Sequence, residues 1–225
     1  MLDKRKTLEI IRNEIEVSQF DGVRYYDIDA VKYPSVTSVL NCKPNKSLEK
    51  WRKDVGESVA DYISDKSADR GTKTHALIES YIKGERGQTL DLLPNALFRI
   101  MQPYIDMIDN VACLETALWS KKLKIAGRVD CIAEYNGILS VIDFKTSTRS
   151  SETPRSSHMI QASAYAEMYE EMYDEEVNQL VIIKGCEDGG VQSFVRNKKK
   201  YIPMLHESIN YFYNMTGEKH EQNNE

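Results

Sequence analysis

The sequence predicts an α/β fold: a central mixed β-sheet flanked by helices, behind a mainly helical N-terminal region. Three observations predict it. Through residue 108 the apolar residues recur mostly at helical spacing. From residue 114 to 145 they recur at strand spacing, with Asn136-Gly137 between two such runs, the strongest short-range hairpin signal. A helix–strand–strand–helix order then closes the chain, which sets helices on both faces of one sheet. With 225 residues and 41% hydrophobic content, one domain with a full core is expected.

Residues 4–19 are charged and helical in pattern. Residues 20–33 alternate around Asp21-Gly22 and suggest strands or a small hairpin. Residues 33–40 read as a turn and a helix, with Ser35 as the N-cap. Residues 46–66 form a polar helix carrying Trp51, Val55, Val59 and Tyr62; residues 70–83 form a second, stopped by Gly84, and residues 95–108 a third. Strands over 114–120, 123–135 and 138–145 make an antiparallel trio. Residues 157–173 are a helix capped by Ser156 or Ser157, and strands over 177–184 and 191–195 flank Asp188-Gly189-Gly190. Residues 198–215 close the chain as a helix that opens on the solvated run Lys198-Lys199-Lys200, and 218–225 are expected to be a flexible tail. The expected organisation is one domain over 1–225, with a mainly helical part over 1–110 and the sheet and its helices over 111–217.

Composition excludes several classes. A net charge of −5 argues against a protein that coats nucleic acid by bulk charge, while leaving room for one that grips a few phosphates locally. Cysteines 42, 113, 131 and 186 include no C-x-x-C pair, so neither a thiolate zinc site nor an iron–sulfur cluster is expected, and Cys131 reads as a buried strand residue. No apolar run approaches the roughly 18 residues that span a membrane, and the N-terminus shows no secretory signal pattern. The chain reads as a cytoplasmic protein with reduced thiols, and the sequons at Asn45 and Asn214 carry no weight.

Chemistry concentrates on the hairpin. A two-residue type I′ turn at Asn136-Gly137 pairs Tyr135 with Ile138, which sets Asp130 opposite Asp143 and Arg128 opposite Lys145. Two carboxylates about 5 Å apart repel by roughly 3 kcal/mol at an effective dielectric near 20. A divalent cation with hard oxygen ligands is the simplest compensation. Asp143 and Lys145, two apart, share one strand face. Carboxylates that hold one or two Mg²⁺ or Mn²⁺ ions, beside a lysine that orients or deprotonates water, are what phosphodiester hydrolysis needs. A plain surface ladder, with Lys145 bridging two solvated aspartates, is the competing account. The apolar Val141-Ile142 before Asp143 tells against it.

Other residues fall around this core. His75 and Glu79 are four apart on one helix face, either a metal ligand with its supporting carboxylate or an exposed pair. Gln161 and Tyr165 share a face of the next helix, offering an amide and a stacking ring to substrate, or core packing. Glu115 supports the site from the neighbouring strand or sits at a plain edge. Arg128, Thr146, Ser147 and Arg149 suit phosphate contact along a strand.

Val129-Asp130 with Asp143-x-Lys145, His75 upstream and Gln161-x-x-x-Tyr165 downstream resembles the PD-(D/E)XK nucleases, in their RecB-like exonuclease branch, which includes phage enzymes. The segments 33–40, 71–79 and 137–147 extend the resemblance. It implies a restriction-endonuclease-like core and Mg²⁺ or Mn²⁺ on Asp130, Asp143, the Phe144 carbonyl and His75. It also implies Lys145 acting on the attacking water, and Gln161 and Tyr165 as helpers at the substrate. It puts Ser35 and Thr37 near the DNA strand and a DNA-threading arch near residues 36–66. Val129 stands where a proline is usual, and the cysteine set of the cluster-bearing relatives is absent. The resemblance implies a DNA exonuclease, acting on single strands and leaving 5′-phosphate, in the cytoplasm (the host's, for phage members). A structure-specific endonuclease and a non-catalytic nucleic-acid-binding module of the same fold are the alternatives. A phosphatase of small substrates fits the open, basic surroundings less well.

Overall fold

The computed structural model describes residues 15–87 and 89–217. The helix expected over 4–19 lies outside the described residues up to residue 14, and from Glu16 it is a strand instead. β1 (Glu16–Phe20), β2 (Val23–Ile28) and β3 (Val31–Pro34) form a three-stranded antiparallel sheet. Asp21-Gly22 turns the first hairpin at φ 48° and 77°, and Asp29-Ala30 the second at 51° and 63°. Two-residue hairpins need such left-handed pairs. Alanine is a poor signal for one, so the third strand escapes a sequence reading.

α1 (Val36–Asn41) begins as expected, with Ser35 Oγ accepting the Ser38 N–H at 3.0 Å. The helix expected over 46–66 is broken. α2 (Lys46–Val55) stops at Gly56, whose φ of 87° leaves the helical region, and α3 (Glu57–Ile82) runs 26 residues through the expected start at residue 70. α4 (Leu92–Ile105) starts earlier than expected, with Pro94 in its first turn, where a missing N–H costs nothing.

The main sheet is the mixed one predicted. Its spatial order is β4 (Ile108–Ser120), β5 (Ile125–Tyr135), β6 (Ile138–Ser147), β7 (Gln179–Cys186) and β8 (Val191–Asn197). Neighbours are antiparallel except β6 and β7, which α5 (Ser156–Tyr173) joins as a parallel crossover. Neither Ser156 nor Ser157 caps α5: its N-cap is Arg155, with no side-chain hydrogen bond. Lys198 is also not solvated. It lies in a 3₁₀ turn before α6 (Ile202–Thr216), 6% exposed, and pairs with Glu167 at 2.9 Å and with Glu170.

Alternate residues of β6 and β7 feed two cores. Val141, Leu180 and Ile182 pack with α1, α5 and α6 through Val36, Met159 and Phe212. Ile142, Val181 and Ile183 pack with α3 and α4 through Ile78 and Met101. Besides the register shift between Asp109 and Cys113, the alternation loses step at one more place. Val129 and Ile132, three apart, enter the same core, as do Cys113 and Leu118, five apart. A regular pleat would send such pairs to opposite faces. The break falls at Asp130 and its neighbour Glu115, where β4 takes a φ of 49°.

Candidate active site

Asn136 and Gly137 have φ of 54° and 76°, the predicted type I′ turn, and Tyr135 pairs with Ile138. The predicted register holds as far as Cys131 opposite Ile142 and ends there. Asp130 and Asp143 are therefore not a ladder pair, and neither are Arg128 and Lys145. The Asp130 carboxylate instead reaches across to β6, where its Oδ2 accepts the Phe144 N–H at 2.8 Å. The broken pleat releases that N–H from the ladder, and the carboxylate takes the place of the missing carbonyl.

Asp143 and Lys145 do share a face, with Lys145 Nζ 2.7 Å from Asp143 Oδ1. Asp143 is 2% exposed and its Oδ2 has no hydrogen-bond partner. Burial pushes its carboxyl up from the ordinary range; Lys145 opposes this and the negative charge of Asp130 adds to it. Burial alone would lower the Lys145 ammonium, but Asp143 and Asp130 outweigh that and hold it raised.

α3 brings His75 to the same place. Its Nε2 is 2.8 Å from the Phe144 carbonyl, and its Nδ1 is 3.6 Å from Asp130 Oδ2 and 4.0 Å from Glu115 Oε1. Burial pulls its pKa down, yet Asp130, Glu115 and Asp143 together raise it to about 9. A site that protonates its histidine so readily carries excess negative charge. Glu79 faces the same open cleft of about 430 Å³ but is ion-paired to Lys83. Glu115, read from the sequence either as a support for the site or as a plain edge residue, is inside the cluster.

α5 supplies the other wall. Gln161 Oε1 accepts from Lys145 Nζ at 3.3 Å, while Gln161 Nε2 reaches the Tyr165 hydroxyl at 3.3 Å and Thr37 Oγ1 at 3.5 Å. Tyr165 is buried, so its ring is closed to a stacking base. It lies against Gly127, where an added Cβ would sit 2.8 Å from Tyr165 Cε1. Gly127→Ala should therefore destabilise the fold by roughly 1–3 kcal/mol in chemical denaturation, as overpacking does. Truncating the ring as well, in Gly127→Ala/Tyr165→Leu, should recover part of that loss; a double variant weaker than the sum of the singles would contradict the steric account.

The remaining expected residues are scattered. Ser35 is buried as the α1 cap, bonded to Ser38 rather than facing outward. Thr146 Oγ1 accepts from Arg70 Nε at 3.2 Å, and the Ser147 carbonyl accepts the Glu187 N–H at 3.0 Å. Arg128 is exposed and reaches the Glu115 carbonyl at 3.3 Å; Arg149 is exposed. Residues not singled out in the sequence also border the site. His158 on α5 is pushed down to about 4, by burial first and then by Lys145. Lys184, paired with Lys145 across β6 and β7, is buried with Nζ 2.6 Å from Ser151 Oγ. His158 precedes Gln161 by three residues and so shares its helix face, a spacing legible in the sequence, whereas Lys184 has no such relation to the motif.

The donor set suits a hard divalent cation. Single ligand atoms of His75, Glu115 and Asp130 lie within 4.8 Å of one another, and Asp143 Oδ2 is a buried carboxylate oxygen without a hydrogen-bond partner. Such an ion would lower the pKa of a bound water and offset charge on a phosphoryl group.

The mixed sheet and its flanking helices carry this acidic cluster beside a lysine, and the family comparison points to a nuclease. Residues 95–201 match the family model of the PD-(D/E)XK nuclease superfamily. Human mitochondrial genome maintenance exonuclease 1 is 30% identical over 127 residues, covering 52% of this chain and 37% of the human protein. The mouse protein of the same name is 32% identical over 145 residues, covering 59% and 43%. The alignments thus span less than half the length of either curated relative. The crystal structure of SSO0001 superposes with a TM-score of 0.46 at 18% identity, covering 79% of this chain and 75% of that one. No helix among the described residues is long and apolar enough to cross a membrane.

Proposed function

We propose that the chain is a Mg²⁺- or Mn²⁺-dependent DNA exonuclease that hydrolyses phosphodiester bonds of single strands. The observation that carries this reading is the meeting of Asp130, Asp143, His75 and Lys145 where the β5–β6 ladder opens, with one buried oxygen of Asp143 left without a partner. Asp130, Asp143 and His75 hold the ion or ions. Lys145, kept in place by Asp143 and Gln161, orients the attacking water and donates to the phosphoryl oxygens. Water adds to phosphorus as the bond to the 3′-oxygen breaks, leaving a 3′-hydroxyl and a 5′-phosphate.

Thr37 and Gln161 contact the strand beside the scissile phosphate, with Arg128, Thr146, Ser147 and Arg149 along the flanking backbone. Tyr165 acts through Gln161, and Ser35 by capping α1, the helix that carries Thr37. An arch near residues 36–66 threads the strand. In support, α2 buries no residue and the start of α3 exposes Val59, Tyr62 and Ile63. The named function of the mammalian relatives supports exonuclease action. Four free thiols, three of them buried, suit a reducing cytoplasm.

Linear and closed circular single strands, labelled and incubated with Mn²⁺ or with EDTA, test the reading. Loss of the linear form alone, and only with metal, is expected. Cutting of the circle would point to an endonuclease, and binding without cutting in any metal to a non-catalytic module.

A further inference from the structure

A second cavity, of about 330 Å³, lies on the far side of Thr37 from Lys145. Its walls come from the β1–β2 turn, α1 and the last turns of α6. Two side chains join it to the catalytic lysine. Thr37 lines the cavity, its Oγ1 is 3.5 Å from Gln161 Nε2, and Gln161 Oε1 is 3.3 Å from Lys145 Nζ. A strand held at Lys145 and Thr37 therefore presents a neighbouring nucleotide to its mouth.

The lining is fixed in its backbone and free in its side chains. Gln19 and Arg24 are cross-strand partners in β1 and β2, so both side chains leave one face of the small sheet. The Arg24 N–H donates to Ser38 Oγ at 3.0 Å, and the Arg24 carbonyl accepts the Ser35 N–H at 2.7 Å. These bonds tie β2 to α1, the helix that carries Thr37 and Asn41. The side chains of Gln19, Arg24 and Asn41 are exposed and make no hydrogen bond among the described residues. A ligand there displaces water and breaks no bond within the protein.

Charge and size select that ligand. Among the described lining residues Arg24 is the one cation and Asp21 the one anion; amides, hydroxyls and the apolar surface of Val23 and Met215 make up most of the rest. A phosphate finds little net attraction in such a lining. An unpaired nucleobase finds a guanidinium plane and apolar surface for its faces, and amides, each both donor and acceptor, for its edge. Met215, 54% exposed, is an adaptable contact that suits any of the four bases. The volume is at the low end for small-molecule sites, room for a single base rather than a run of them.

We propose that this cavity receives one unstacked nucleobase of the substrate strand, from a nucleotide next to the scissile phosphate, with Arg24 on its face and Gln19 and Asn41 at its edge. The inference rests on the nuclease reading above and deepens it. It makes the small sheet part of the substrate site, a role for β1 and β2 that the catalytic motif does not assign.

Linear single strands that each carry one abasic site, placed in turn at every position near both ends, test it in single-turnover digestion with Mn²⁺ by the full chain. The half-saturating concentration and the maximal rate are read for wild type, Arg24→Gln, Asn41→Ala and, as a remote control, Glu134→Gln. In wild type, one abasic position beside the cut bond should raise the half-saturating concentration about tenfold, within the worth of stacking one base, and leave the maximal rate unchanged. Arg24→Gln and Asn41→Ala should each raise it on intact DNA and lose most of the abasic penalty, because the base they touch is already gone. Glu134→Gln should stay within about twofold of wild type on every strand. A wild type that digests intact strands with no sensitive position overturns the proposal and leaves the nuclease reading standing. So does an abasic penalty as large in the two variants as in wild type, which would make Arg24 and Asn41 contacts of the backbone. A wild type that digests no strand removes the nuclease reading and this one with it.

Discussion

Asp143→Asn should reduce Mn²⁺-dependent digestion of linear single-stranded DNA by about 10⁴-fold or more, without a matching loss of stability. Removing a metal-holding carboxylate forfeits several kcal/mol of charge stabilisation in the transition state, and each 1.36 kcal/mol is tenfold in rate. The amide keeps the size of the side chain. It also removes a carboxylate that is 2% exposed and has one oxygen without a partner. Its melting temperature should stay within about 4 °C of wild type, the shift worth roughly 1 kcal/mol in a domain of this size. Stability in EDTA carries a sign. Burial raises the folded pKa of Asp143, so the native state holds its proton more tightly than the unfolded chain does. As pH rises above about 3.9, wild type should lose stability relative to the variant, until the folded carboxyl has ionised. Melts from pH 3 to 8, paired with an end-labelled digest, check both halves. A variant that still cuts would remove Asp143 from the reaction.

Lys145→Met should lower single-turnover cleavage by roughly 10²–10⁴-fold at saturating Mn²⁺, the range expected when a positioned proton-transfer group is lost. Methionine preserves the apolar stem, so Gln161 loses one hydrogen bond and little packing. Mn²⁺ affinity should hold or improve, because an ammonium 2.7 Å from Asp143 no longer competes for its charge. Lys145→Arg should not restore the rate, since a planar guanidinium cannot occupy the point position of the ammonium. Loss of DNA affinity with an unchanged single-turnover rate would reassign Lys145 to substrate binding alone.

Where the hairpin is concerned, local rules suffice. Asn136-Gly137 specifies the type I′ turn, and the turn sets the register through Cys131 and Ile142. Asp143 and Lys145 share a face because a strand repeats every two residues, and Cys131 is buried by the same alternation. The five-stranded sheet and α5 were legible for similar reasons of period and length. Helix limits were less so: Gly56 ends a helix only because its backbone turns left-handed there, a state that glycine permits without requiring. Ser156 and Ser157 look like caps and are not, because capping is decided by where the chain enters α5 from β6.

By itself, then, the order of residues determined the class of fold, the Asn136-Gly137 hairpin and the strand face that Asp143 and Lys145 share. Only tertiary structure decided how those groups meet. The ladder stops at Cys131, one residue after Asp130, Glu115 joins the cluster, and α3 delivers His75 from 55 positions before Asp130. Each of these depends on contacts between elements remote in sequence. Periodicity describes one element at a time, so a pleat broken jointly in two strands leaves no trace in either alone.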